Sequence, residues 1–248
     1  MASLRELEER RAYELRLTPD RALASVKETE AFLHERGLLT RTPDSALPSF
    51  FGACHEEPYL AGHGGFAEWP ATKYPWYFEL ATRPDVHELW IHNGKSVLLT
   101  DATRALADPI LRAELARVER ADPDWTRVLG HLAEAGPSSK EDLQVELGLK
   151  PRGVKLALSP LLRVGAIVRR GDEYLRYDQA YPEPSAGGGL GELVVAAVRA
   201  AVLAPAAEIE RKWFSWLWLF EPGLVERLEA AGQLERTEPG FVTAPASA

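Results

Sequence analysis

Between Asp124 and Asp178 the chain combines helix caps, turn residues and apolar spacings that together predict a winged helix-turn-helix. Asp124 is placed to cap a helix over 125–135, in which Trp125, Val128, Leu129 and Leu132 share one face and Gly136-Pro137 ends the run. Ser138 or Ser139 then caps a short second helix bearing Leu143, Val145 and Leu147. Asp142 follows Ser139 at the spacing of a capping box, and Gly148 is the stop. Pro151 opens a third helix, as a first-turn proline can, with Val154, Leu156, Leu158, Leu161 and Leu162 directed toward the other two. Pro160 is expected to kink or shorten it. Two β-prone runs, 166–169 and 173–176, hinge on Arg170-Gly171-Asp172 and read as the hairpin of a wing.

Charge distinguishes this segment from its surroundings. From 150 to 177 there are seven basic residues (Lys150, Arg152, Lys155, Arg163, Arg169, Arg170, Arg176) against Asp172 and Glu173, a local balance of +5 in a chain whose net charge is −8. The third helix and the wing are the elements that meet nucleic acid in such a module, the helix in the major groove and the wing along the phosphates. Arg152, Lys155, Arg163, Arg169 and Arg170 are therefore the expected DNA contacts. A solvated basic face on a protein-interaction domain is the bland alternative.

The flanking regions repeat the pattern less clearly. Upstream, a charged helix over 3–15 precedes one that Thr18-Pro19-Asp20 should start and Gly37 should end, followed by strand-like 38–41. From Gly52 to Asn93 periodicity disappears into a stretch rich in aromatics, histidine, glycine and proline, which reads as a functional loop or an insertion. A strand over 96–100 and a helix capped by Asp101 or Thr103 come next. Downstream, 181–189 reads as a Pro/Gly linker, and 190–248 again predicts helix, helix, helix, hairpin. The expected organisation is an N-terminal winged-helix-like region at 1–122 with an aromatic-rich insertion at 52–93, a central winged helix at 123–180, and a C-terminal winged helix at 190–248. The fold class is mainly α with small β-hairpins, in two or three tandem winged helices.

With 46% hydrophobic residues the chain can bury substantial cores, and it has no apolar run long enough to span a membrane. A charged, helical start and a single cysteine, Cys54, point to a soluble cytoplasmic protein without an intramolecular disulfide. The net negative charge excludes generalised coating of nucleic acid and restricts DNA binding to a local, salt-dependent patch.

Several short runs, taken in order, resemble the AlkZ/YcaQ winged-helix DNA glycosylases and the AlkZ-related proteins. They are Leu47-Pro48-Ser49-Phe50, Trp76 with Glu79-Leu80, Asn93-Gly94-Lys95, Gly136-Pro137-Ser138-Ser139 with Leu143 and Leu147-Gly148-Leu149, Val194-Val195-Ala196-Ala197, and Trp213-Phe214-Ser215-Trp216. The resemblance spans roughly residues 18 to 220 and lies in the order of the runs, none of which is specific alone. It implies tandem winged helices arranged as a C around duplex DNA, alkylated or crosslinked. It also implies metal-independent hydrolysis of the N-glycosidic bond of N-alkylated purines, including the unhooking of interstrand crosslinks. The family's catalytic motif is glutamine, an apolar residue, then glutamine or aspartate. Here the glutamines are Gln144, Gln179 and Gln233, and none is followed two places later by either residue.

Hydrolysis of a cationic alkylpurine nucleotide already has a good leaving group, so a carboxylate that places water and faces an oxocarbenium-like sugar suffices. Glu79 is the expected catalytic group on that logic, with His55, Trp76, Tyr77 and Lys95 as pocket candidates. The alternative is that Trp76 and Phe78 are core and Glu79 pairs locally. His55, His63, His87, His92 and Cys54 lack the spacing of a metal site, so no metal or cofactor is expected. A non-enzymatic winged-helix transcriptional regulator is the second reading, with 52–92 as a ligand pocket or dimer surface, and a protein-interaction scaffold the third. Oligomeric state is not legible from these residues.

Overall fold

The computed structural model describes residues 3–55, 60–61, 68–70, 72–214, 222–238 and 240–245. In chain order the first part comprises α1 (Leu4–Glu14), a single 3-10 turn at Pro19–Arg21, α2 (Val26–Arg36), β1 (Leu38–Thr40), α3 (Phe50–Cys54), β2 (Leu60–Ala61), β3 (Glu68–Trp69), α4 (Tyr74–Leu80), β4 (Val86–His92) and β5 (Lys95–Thr100). The middle comprises α5 (Asp101–Val118), α6 (Pro123–Ala135), β6 (Ser138–Ser139), α7 (Lys140–Leu147), α8 (Pro151–Arg163), β7 (Ile167–Arg170), β8 (Glu173–Arg176) and α9 (Tyr177–Ala180). The last part comprises α10 (Leu190–Ala201), β9 (Ala204–Pro205), α11 (Ala206–Glu208) running into a π-helical turn at Ile209–Trp213, α12 (Leu224–Ala230), β10 (Glu235–Glu238) and β11 (Phe241–Thr243). The molecule is thus mainly helical with small antiparallel sheets, ordered β1-β5-β4, β6-β8-β7 and β10-β11-β9, beside a β2-β3 pair.

Strands β1 and β5 are buried on both faces of their sheet, which explains why Val97–Leu99 reads as an unbroken apolar run rather than an alternating one. Leu39 and Leu98 face a cluster containing Phe32, Phe50 and Tyr77, whereas Leu38, Val97 and Leu99 face the main core. Strands β4 and β5 are joined through Asn93 and Gly94, whose φ values of 50° and 77° fit the tight-hairpin turn that this dipeptide favours. The main core continues from Leu38 through the α6–α8 helices to Val242, so the parts share one interior.

Several helix starts differ from expectation because a better cap lies nearby. Helix α2 begins at Ser25, whose Oγ accepts from the Glu28 N–H at 3.1 Å, and Pro19 opens only one turn. Thr100 caps α5, and Asp122 caps α6 with its side chain accepting from the backbone of Asp124 and Trp125. The Ser139–Asp142 capping box of α7 forms as expected. Pro160 does not interrupt α8, which runs on to Arg163, and Leu156 lies on its outer side at 62% exposure, as does Val145 of α7 at 78%. The 52–93 stretch is not wholly irregular, since it contains α4 and the edge strand β4.

The 181–189 segment is docked rather than free. The Ser185 N–H donates to Asp108 Oδ2 at 2.9 Å and the Gly189 N–H donates to the Leu106 carbonyl at 2.9 Å. Gly188, at φ +114°, lies so close to the Leu106 backbone that a Cβ would sit 2.8 Å from its Cα.

Candidate nucleic-acid interface and its cleft

Strand β4 is the edge of the first sheet and β7 the edge of the second, and the two run beside each other. Between β4 with the end of α4 and the β7–β8 hairpin lies a cleft of about 740 Å³. Four arginines line it, Arg41 and Arg83 from the first part of the chain and Arg169 and Arg170 from the hairpin, against Glu88 and Asp172. Phe78, His87, Trp90 and Tyr181 complete its chemically distinctive wall. The Trp90 indole Nε1 is buried and has no hydrogen-bond partner among the described residues.

The hairpin holds its arginines by local geometry. Arg169 donates through Nε to the Gly171 carbonyl at 2.8 Å and faces Asp172 at 3.3 Å. Arg170 donates to the Ala180 carbonyl at 3.1 Å and stands 5.7 Å from the centre of the Tyr181 ring. Across the cleft, Arg83 lies 3.4 Å from Glu79 and 3.7 Å from Glu30. These exposed pairs are weak and exchangeable, so the guanidinium groups can turn to phosphate.

Two hydrogen-bonded chains end at the cleft. In the first, the buried Tyr77 hydroxyl lies 2.8 Å from Ser96 Oγ, which donates to Glu88 Oε1 at 2.5 Å. Burial pushes the Tyr77 phenol far above its ordinary range, so it stays protonated and acts as a donor. In the second, His87 Nε2 is 2.7 Å from Asp101 and its Nδ1 is 3.2 Å from the Tyr181 hydroxyl. Burial lowers the His87 pKa in spite of Asp101, and it raises that of Tyr181. The pair fits a neutral imidazole that donates to Asp101 and accepts from Tyr181.

The residues singled out from sequence are dispersed. Arg152 and Lys155 stand exposed on the first turns of α8. Arg163, at its far end, donates to Asn93 Oδ1 at 2.6 Å and so braces the β4–β5 turn. Arg176, counted in the basic stretch, is enclosed between Glu119 at 2.5 Å and Asp178 at 2.8 Å. Of the expected DNA contacts, Arg169 and Arg170 reach the cleft.

Glu79 is 53% exposed, pairs with Arg83, and is not part of the cleft wall, which is the local pairing weighed as its alternative. Tyr77 is core, and Trp76 packs half-buried against the same cluster with Lys73 Nζ 5.8 Å from its ring. The His55 Nε2 meets the Arg16 carbonyl at 2.7 Å, and Lys95 is ion-paired to Asp44. His55, Trp76, Tyr77 and Lys95 therefore do not form one pocket around Glu79. The groups that do converge, Arg41, Arg83, His87, Glu88, Trp90 and Tyr181, carry one sequence-level signal: 86–92 can be read as a strand whose polar residues interrupt an apolar series.

Among solved structures the chain is similar to the Streptomyces sahachiroi DNA glycosylase AlkZ, with a TM-score of 0.53 and 15% identity over 98% of this chain and 70% of that one. The chain has an AlkZ-like fold. No family model and no curated protein matches it.

Proposed function

We propose that this chain binds duplex DNA and handles a single nucleotide in the cleft between β4 and the β7–β8 hairpin, in the manner of enzymes that release N-alkylated purines. The observation that carries the reading is the convergence of Arg41, Arg83, Arg169 and Arg170 on one cleft in a chain of net charge −8. Such a concentration of guanidinium groups serves a polyanion, and Trp90, Phe78 and Tyr181 offer apolar and aromatic surface to a base turned out of the duplex. Arg152 and Lys155 extend the positive surface along α8.

The AlkZ-like fold supports the same assignment. Under it, 123–180 and 190–248 are two winged helices in tandem, each with three helices and a hairpin closed by a third short strand. Residues 1–122 form a winged-helix-like region before them, and the three embrace the duplex as a C.

Two measurements test the reading. Wild-type protein should bind a short duplex with an affinity that falls steeply with salt, and should release base from a duplex carrying one N7-methylguanine, scored as strand cleavage at the abasic site. Binding confined to one undamaged palindrome, without base release, would replace it with a sequence-specific regulator. No binding at low salt would leave a protein-interaction scaffold.

A further inference from the structure

We infer that Glu88 is the catalytic carboxylate of the cleft, held in place by Ser96 and Tyr77; this deepens the proposed base release and rests on it. Glu88 belongs to β4, the edge strand that forms one wall, and it lines the cleft. Its Oε1 is taken by Ser96 Oγ at 2.5 Å, whereas Oε2 has no protein hydrogen-bond partner among the described residues. Ser96 is 1% exposed and Tyr77 fully buried, so two immobile side chains fix the direction of a group that lines the cleft. A purely structural carboxylate would be expected to pair with one of the four arginines that line the same cleft, and among the described residues Glu88 forms no ion pair.

The chemistry follows from that placement. In a duplex bearing an N7-alkylated purine the base is already cationic, so the C1′–N9 bond breaks with its electron pair going to the base, which leaves neutral. Glu88 Oε2 orients a water toward C1′, and its charge opposes the positive charge developing on the sugar. As the C1′–O bond forms, the water's proton passes to Glu88 and then to solvent, leaving an abasic sugar. Ser96 and Tyr77 are positioning residues. They touch neither base nor sugar, and they keep the carboxylate from turning onto the neighbouring arginines.

The test uses the full chain and a duplex with a single N7-methylguanine, with binding, thermal melting and single-turnover base release measured side by side. Glu88→Gln should lower release about 100-fold or more while duplex affinity and melting temperature stay near wild type. Glu88→Asp should recover part of the rate. Tyr77→Phe and Ser96→Ala should each lower the single-turnover rate about 10-fold without changing half-saturation, a split that general loss of structure would not give. Release by Glu88→Gln at the wild-type rate overturns the role of Glu88 and leaves the proposed function standing. Absence of release by wild type overturns both.

Discussion

Two polar junctions between the first sheet and the rest of the molecule use similar residue types differently. Around Asp44, His92, Glu208 and Trp213, polar groups are consumed by one another. His92 Nδ1 is 2.6 Å from the Trp213 carbonyl, and Asp44 pairs with Lys95. Glu208 accepts from the Ala46 N–H at 2.5 Å and from the Trp213 indole at 2.9 Å. A cavity of about 440 Å³ exists there, but Arg11 on its wall already donates to the Ala46 carbonyl at 3.1 Å. At the β4–β7 junction Arg83 and Arg169 sit in exposed ion pairs, and among the described residues the Trp90 indole and Glu88 Oε2 have no hydrogen-bond partner. Polar groups paired within the fold should contribute to stability, and those left with spare capacity at the cleft should contribute to binding.

The largest stability effect should come from the most completely paired charge. Asp108 is buried, with Arg112, Tyr177 and the Ser185 N–H all donating at 2.9 Å and Arg104 at 3.3 Å. Burial alone would raise its pKa, yet these donors hold it below the ordinary aspartate value. Asp108→Ala strands the arginines and frees 181–189, at a cost of about 3 kcal/mol, or roughly 10 °C in Tm. A loss under about 1 kcal/mol in urea unfolding would show that pairing of this kind does little for the fold.

The complementary change leaves stability alone and removes binding. Arg169→Glu with Arg170→Glu should weaken duplex affinity about 100-fold at low salt and reduce the salt slope by about 2, while Tm moves little. Lys95→Ala, which breaks an ion pair at the other junction, should do the reverse: unchanged affinity and a stability loss below about 1 kcal/mol. Equal effects of the two on DNA binding would erase the distinction between the junctions.

Much of the fold was legible because its signals are local. The Ser139–Asp142 capping box, Pro151 at a helix start and the Gly171-Asp172 turn each act within a few residues, and the α6–α8 unit with its hairpin follows from them. The cleft was not legible for the converse reason. Arg41, Arg83 and Tyr181 are distant in sequence and meet only when β4 is laid beside β7. Aromatic density misled as well, since Tyr77, a pocket candidate, gathers with Phe50, Phe51 and Tyr74 at ring-centre distances of 5.8–6.0 Å to make a core, not a pocket. In the Trp213-Phe214-Ser215-Trp216 run, Trp213 is fully buried, whereas Ser215 and Trp216 lie outside the described residues.

A smaller effect is expected from pH, and here the two junctions should agree. Burial lowers the pKa of His87, which faces Asp101, Tyr181, Arg104 and Arg170, and that of His92, which faces Asp44, Glu208 and the Trp213 carbonyl. A histidine depressed in the folded state binds its proton sooner when unfolded. Its contribution is therefore complete above the ordinary histidine range and declines as pH falls from about 7 toward 5, by at most about 1.4 kcal/mol per pH unit for each group. Replacing both by asparagine should flatten the stability profile over that interval. An unchanged slope would assign the acid sensitivity to carboxylates alone.

The smallest effect is expected at Glu79, and it separates proximity in sequence from convergence in space. Glu79 follows Trp76 and Tyr77 closely enough to suggest a pocket, but it shares an exposed pair with Arg83 one helical turn on. Side chains 53% and 40% exposed exchange with water, so Glu79→Gln should cost no more than about 0.5 kcal/mol. It should leave base release within about twofold of wild type, because the cleft wall is built by its neighbour Phe78 and by β4 rather than by Glu79 itself. Paired with Glu88→Gln in one assay, it asks which of two carboxylates nine residues apart faces the substrate. A large loss at Glu79 with none at Glu88 would move the reacting centre to the outer side of α4 and make the arginine-lined cleft a binding groove alone.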